Sequence, residues 1–293
     1  LIAMARNAVG GMGVAPAARL KGFNALQDQT LANFVSSLGG SAANPNSADV
    51  YVFNQSYGQN NSEDIPIDSV IADQYLAAVT NLRGGKGALF VKAAGNGFLD
   101  MGELANLNCE FANAAGLSCQ NANFDPENAT LYLIVVGAIN ASGVKSSYSS
   151  TGSAIWVSAP GGEFGTSSPA MLTVDQSNCT DGYSRTIAAS TAFNSGAAPN
   201  TECNYTNTFN GTSSAAPVTA GVIALMLQAN PALGWRDVKH ILAGTARQVD
   251  AARTAVGVAL TGGTYVAEPA WTTNAAGFKF HNWYGFGLVD ASA

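Results

Sequence analysis

The 293-residue chain carries 13 Lys plus Arg against 19 Asp plus Glu, a formal net charge of −6; only 11% of its residues are charged, 47% are apolar and 32 are Gly. Soluble domains usually carry about 25% charged residues, so polarity here rests on Asn, Ser and Thr, and the apolar content excludes a disordered chain or a coiled coil. No Lys/Arg cluster offers the footprint that a phosphate backbone requires, and the longest apolar run, 215–227, is broken by Pro217 and Thr219 and falls short of the about 20 residues that span a bilayer, which sets aside nucleic acid and a membrane span.

Residues 1–7, Leu-Ile-Ala-Met-Ala-Arg-Asn, have the composition of an apolar helical segment without an N-cap, and the Gly-rich stretch to Pro16 ends it. Residues 17–23 read as a short strand. Residues 50–56 form a second strand, closed by Tyr57-Gly58, and 69–83 carry apolar residues at helical spacing. Near-continuous apolar runs come next, at 88–94 and 131–139. Such runs, bounded by turns and separated by a helical pattern, are parallel strands covered on both faces, so the expected fold is an α/β sheet. A Ser/Gly/Asn-rich middle (142–198) leads to helices over 213–229 and 235–246, the first apolar nearly all round and therefore buried. Residues 283–289 read as a strand or turn that docks on the body. No repeat or linker divides residues 1–293, which are read as one domain.

The four cysteines fall as two local pairs, Cys109 with Cys119 and Cys179 with Cys203, at spacings unlike the C-x-x-C knuckles of zinc sites. They are read as two disulfides, although the sequence alone permits three pairings. Disulfides place the protein in an oxidising compartment, hence secreted.

The sharpest local feature is Asn210-Gly-Thr-Ser-Ser-Ala-Ala-Pro217, a small-residue turn running directly into the buried helix. A hydroxyl there sits beside unpaired backbone N–H groups and the positive end of the helix dipole, which stabilise negative charge developing on a bound carbonyl. Pro217 fits because the first helical turn needs no N–H there.

Gly211-Thr-Ser-Ser-Ala-Ala-Pro217 resembles the G-T-S-x-A-x-P nucleophile motif of the subtilisin-like serine proteases. Phe90-Val-Lys-Ala-Ala-Gly-Asn96 is similar to the strand and turn that present the family's oxyanion-hole Asn, and Val52-Phe-Asn-Gln-Ser-Tyr-Gly58 to its substrate-binding strand. Val135-Val-Gly-Ala-Ile139, Ser158-Ala-Pro-Gly161, Gly234-Trp-Arg-Asp-Val238 and Tyr284-Gly-Phe-Gly-Leu-Val-Asp290 extend the likeness over most of the chain, the last two toward the kexin-like branch. The resemblance implies a doubly wound, mainly parallel sheet flanked by helices. It also implies roles: Ser213 as nucleophile, and the Asn96 side chain with the Ser213 N–H as oxyanion donors. Ser56-Tyr57-Gly58 would pair with an extended substrate peptide, opposite Ala93-Ala94-Gly95 across the primary pocket, with Thr212 in the same site. No cofactor is required for that chemistry; structural calcium is common in the family, but no ligand set can be named.

The family's triad runs Asp, His, Ser, with the His in an H-G-T motif. The only histidines, His240 and His281, lie after Ser213 and outside such a motif, and no D-T-G or D-S-G occurs. Residues 1–16 resemble the family's segment on the C-terminal side of H-G-T-x-V-A-G, so the chain is expected to begin just past the catalytic His, with a further segment of the same protease supplying Asp and His as its partner. Asn123-Phe-Asp125 lies where kexin-like enzymes place an acid that recognises a basic side chain; a turn-forming role before Pro126 is the equal alternative. Gln59-Asn60-Asn61 stand where further acids would be expected.

Two other readings compete. Sedolisins share the fold but place an Asp in the oxyanion hole, against which Gly95-Asn96-Gly97 argues. A non-catalytic pseudoprotease would bind peptides in the same cleft without acylation of Ser213.

Overall fold

The computed structural model describes residues 1–7, 10–40, 50–59, 63–99, 109–187 and 189–293. Its centre is a four-stranded parallel sheet in the order β1 (Val52–Gln55), β2 (Leu89–Ala93), β3 (Leu133–Ile139) and β4 (Ile155–Pro160). Every residue of β2 and β3 is buried, as expected of strands covered on both faces. Because side chains alternate across a strand, each strand feeds two cores. Leu89, Val91, Ala93, Ile134, Val136 and Ala138 face one side, where they meet Ala215, Ala216, Ala220 and Ile223. Phe90, Leu133 and Val135 face the other, with Ile71, Tyr75 and Val79.

The first layer is the long helix Thr212–Ala229; the second is the helix Ser69–Asn81, started by Asp68, whose Oδ1 accepts the N–H groups of Val70 and Ile71. These two are α4 and α2, counting α1 as Leu31–Ser37, α3 as Cys109–Ala114 and α5 as Trp235–Thr245. At 18 residues α4 reaches the length that crosses a bilayer, but its packing against all four strands makes it the core helix of an α/β fold. Three antiparallel pairs lie outside the main sheet: β5 (Met171–Val174) with β6 (Tyr205–Phe209), β7 (Val256–Leu260) with β8 (Gly263–Glu268), and β9 (Thr272–Thr273) with β10 (Lys279–Phe280).

Four expectations are corrected. Residues 1–7 are not helical: the N–H groups of Gly13, Val14 and Ala15 donate to the carbonyls of Met4, Leu1 and Ile2, so the segment pairs with residues 13–15 through backbone bonds. Gly10, at φ +65°, helps the chain turn back on itself. Residues 17–23 form no strand. The Ser/Gly-rich middle contains β4, the fourth member of the sheet. Pro217 is the sixth residue of α4, past the first turn, and so deprives the Ser213 carbonyl of its intrahelical donor. The 283–289 segment does dock: Leu288 bridges to Ser158 at the end of β4 and to Arg247.

Candidate active site

The site forms where β2 and β4 end and α4 begins. Gly211 opens the helix with φ +91°, a region closed to ordinary side chains, and a Cβ there would stand 3.1 Å from Asn96 Nδ2. Only glycine lets the backbone turn this close to that carboxamide. The Gly211 N–H donates to the Tyr148 hydroxyl at 2.8 Å, and the proton of that hydroxyl faces the Gly161 and Gly162 carbonyl oxygens at 2.9 and 2.8 Å. Burial pushes Tyr148 up to about 12, so the phenol remains a donor at neutral pH.

Three hydroxyls follow in sequence. Thr212 and Ser214 are fully buried and Ser213 between them is half-buried, so Ser213 alone of the three reaches the cleft. Ser214 turns inward, its hydroxyl 2.8 Å from the Gly211 oxygen and 3.0 Å from that of Gly161. Ser213 therefore sits in the first turn of an 18-residue helix, at its positive pole.

Asn96 follows β2 and is exposed. Gly95 before it adopts φ +105°, with its carbonyl accepting the Ser150 N–H at 3.0 Å. Thr212 fixes the carboxamide: its backbone N–H and its hydroxyl both donate to Asn96 Oδ1, at 2.8 and 2.9 Å, while Thr212 Oγ1 accepts the Gly95 N–H at 3.1 Å. Two donors on Oδ1 set the orientation of the amide, which leaves Nδ2 as the end able to address an oxyanion.

The two segments expected to wall the pocket also meet. A Cβ on Gly58 would lie 3.6 Å from Gly95 Cα, 3.7 Å from the Ala93 oxygen and 3.6 Å from Asp125 Oδ2. Gly58 thus packs directly against Gly95 and the Ala93 carbonyl, with the Asp125 carboxylate beside them. Asn54 holds Ser56 through a 2.8 Å bond from Nδ2 to its hydroxyl.

The subtilase family matches residues 1–287. The chain belongs to the subtilase family. Among curated proteins, this subtilase is 40% identical to the Aeromonas extracellular serine protease of Aeromonas sobria and 34% identical to the microbial serine proteinase of Aeromonas salmonicida. Each match covers 100% of the chain and 48% of the relative, so the chain spans about half the length of these relatives. The crystal structure of the Aeromonas sobria serine protease superposes with a TM-score of 0.86 at 38% identity, covering 99% of this chain and 50% of that one. A dibasic-processing endoprotease of Yarrowia lipolytica is 28% identical over 99% of this chain and 24% of its own.

Asp125 is buried, and both of its carboxylate oxygens are engaged within the protein. Its Oδ1 accepts the Glu127 N–H at 3.1 Å, the turn-forming part, while Oδ2 accepts the Gln59 N–H at 2.8 Å and pairs with the Lys92 ammonium at 3.0 Å. Asn60 and Asn61 lie outside the described residues. Both histidines serve elsewhere. His240 is exposed on α5 against the Phe278 ring, at 5.4 Å between centroids. His281 is buried with Nδ1 accepting the Trp283 N–H at 3.0 Å; burial lowers its pKa to about 4, so the ring stays neutral and bound to its turn.

The cysteines pair as Cys109–Cys119 and Cys179–Cys203, with Cα atoms 5.0 and 5.1 Å apart. Among the described residues no group of three or more His, Cys, Asp or Glu gathers to hold a metal. Sequence reasoning missed Tyr148, Ser150, Lys92 and Glu127. For Lys92 a signal existed: an ammonium at the centre of a buried run must be paired.

Proposed function

We propose that this subtilase is a secreted serine endopeptidase acting on peptides and proteins, and that residues 1–293 belong to a single catalytic domain. The observation that carries the reading is the junction at Thr212, where one residue anchors the Asn96 carboxamide while its neighbour Ser213 presents the reachable hydroxyl. Ser213 Oγ attacks the scissile carbonyl, and the charge on that oxygen is accepted by Asn96 Nδ2 and the Ser213 N–H. The tetrahedral adduct collapses to an acyl-enzyme with departure of the amine, and water then releases the acid.

The substrate strand lies along Ser56-Tyr57-Gly58, which continues the edge strand β1, and pairs by main-chain bonds that tolerate varied sequences. Its first side chain descends between the two walls toward Asp125, whose carboxylate favours Arg or Lys. Since neither His240 nor His281 is placed for the task, the general base and the Asp that orients it come from residues outside these 293. The chemistry needs no cofactor, and structural calcium is assigned no ligands here. Two disulfides fit secretion, as does the extracellular A. sobria relative.

The intact protease should be labelled by a fluorophosphonate, with the adduct mapped by mass spectrometry to Ser213 and lost in Ser213→Ala. Peptide binding without any adduct would establish the pseudoprotease instead. Asn96 in place of an acidic oxyanion residue disfavours the sedolisin chemistry.

A further inference from the structure

Beneath the proposed pocket, Asp125 belongs to a buried charge cluster whose other members, Lys92 and Glu127, the proposed reaction does not use. Lys92, fully buried on β2, directs its ammonium at three acceptors: Asp125 Oδ2 at 3.0 Å, Glu127 Oε1 at 3.4 Å and the Tyr57 carbonyl at 3.4 Å. Its Nζ also stands 4.5 Å from the centroid of the Tyr57 ring. An ammonium has three donors, and all three have an acceptor here. Glu127 is buried and held by Tyr75 and Gln55: the Tyr75 hydroxyl donates to Oε2, and Gln55 Nε2 approaches the same oxygen at 3.4 Å. Burial first, and then Glu127, hold Tyr75 well above the usual phenol range, so its proton remains on the ring oxygen and Glu127 remains the acceptor.

One ammonium against two carboxylates leaves a formal surplus of one negative charge. The two acids are not equivalent. Asp125 Oδ2 lies within 3.6 Å of the position a Gly58 side chain would take, whereas Glu127 faces the α2 side of the sheet. If Glu127 did not occupy Lys92, the ammonium would cancel Asp125 and the floor of the pocket would be neutral. We infer that Glu127 determines the cation preference of the primary pocket, by engaging Lys92 so that the charge of Asp125 is available to a substrate arginine or lysine. The inference rests on the placement of the pocket in the protease reading above.

The test uses p-aminobenzamidine, a fluorescent amidinium that stands in for an arginine side chain and needs neither nucleophile nor base. A failure of Ser213 acylation therefore leaves the measurement intact. In the intact protein, Glu127→Gln should weaken its binding by about tenfold or more, because Lys92 then neutralises Asp125. Adding Lys92→Met restores the surplus charge and should bring affinity back to within about threefold of the unmodified protein. A merely structural role for Glu127 predicts the opposite, since the second substitution would add damage. The inference is overturned if the amidinium does not bind the unmodified protein, if Glu127→Gln binds it equally well, or if the double variant binds no better than Glu127→Gln. Should Glu127→Gln fail to fold by circular dichroism, Lys92→Met alone decides: it keeps both carboxylates, so affinity must not fall, and a tenfold loss would overturn the inference.

Discussion

Thr212→Val isolates the anchoring of the proposed oxyanion donor, Asn96, from the proposed nucleophile, Ser213. The replacement keeps the shape of a fully buried side chain and removes only the hydroxyl. Two bonds are lost: the 2.9 Å donation to Asn96 Oδ1 and the 3.1 Å acceptance of the Gly95 N–H. The first loss is partial, because the Thr212 backbone N–H still reaches Asn96 Oδ1 at 2.8 Å, and it should cost about 1 kcal/mol. The second strands a donor at the end of a buried strand, at about 1–3 kcal/mol. Unfolding free energy should therefore drop by about 2–4 kcal/mol, measured by urea denaturation. With one anchor gone, Asn96 Nδ2 samples positions away from the oxyanion. Deleting such a donor outright costs about 10²–10³ in kcat, and loosening it should cost about tenfold. Because the amide acts on charge that exists only in the transition state, kcat should fall while KM holds. An unchanged kcat in Thr212→Val, or a loss as deep as that of Asn96→Ala, would refute the anchoring role.

Two stability measurements probe the surroundings of the site. Lys145 is buried with its ammonium 3.4 Å from the Phe98 ring centroid, and burial lowers its pKa to about 7, nearby Glu163 opposing the shift and Arg253 adding to it. Between that value and the ordinary 10.5 the unfolded chain holds more protons than the folded one, so stability should climb with pH by up to about 1.4 kcal/mol per unit. Lys145→Met should remove this slope: its advantage over the parent is greatest below about pH 7 and gone above about pH 10.5, and parallel curves would exclude the assignment. Replacing Cys179 and Cys203 together by Ser should lower stability by about 3 kcal/mol, the loop entropy of a 24-residue closure, and an unmoved denaturation midpoint would show that the bridge constrains nothing.

How far the sequence could be read depended on whether one residue type was compulsory at a position. The turn 210–217 was legible because a helix entered at φ +91° beside a carboxamide requires Gly211, and a nucleophile flanked by two inward hydroxyls requires small residues. Strands β2 and β3 were legible because burial on both faces leaves only apolar runs. Residues 1–7 misled, since a short apolar stretch has the same composition whether it is a helix or, as here, an irregular segment paired through backbone bonds to Gly13, Val14 and Ala15. β4 hid within Ser- and Gly-rich surroundings because its neighbours are chosen by function as much as by folding: Gly161 and Gly162 supply the carbonyls that Tyr148 and Ser214 bind.

Lys92 shows where composition and chemistry part. Averaged into the run 88–94 it looks like an interruption of an apolar strand; taken singly, it demands buried acceptors that no local pattern reveals. Two of those acceptors, Asp125 and Glu127, lie more than thirty positions downstream and come into reach only because β2 pairs in parallel with β3, which begins soon after them. A buried cation is thus a sequence-level statement that a carboxylate must exist somewhere, while its address is a property of topology. On the inference drawn for Glu127, the address is the floor of the proposed substrate groove, and a residue that seems to violate the core pattern would then couple the core to the choice of substrate.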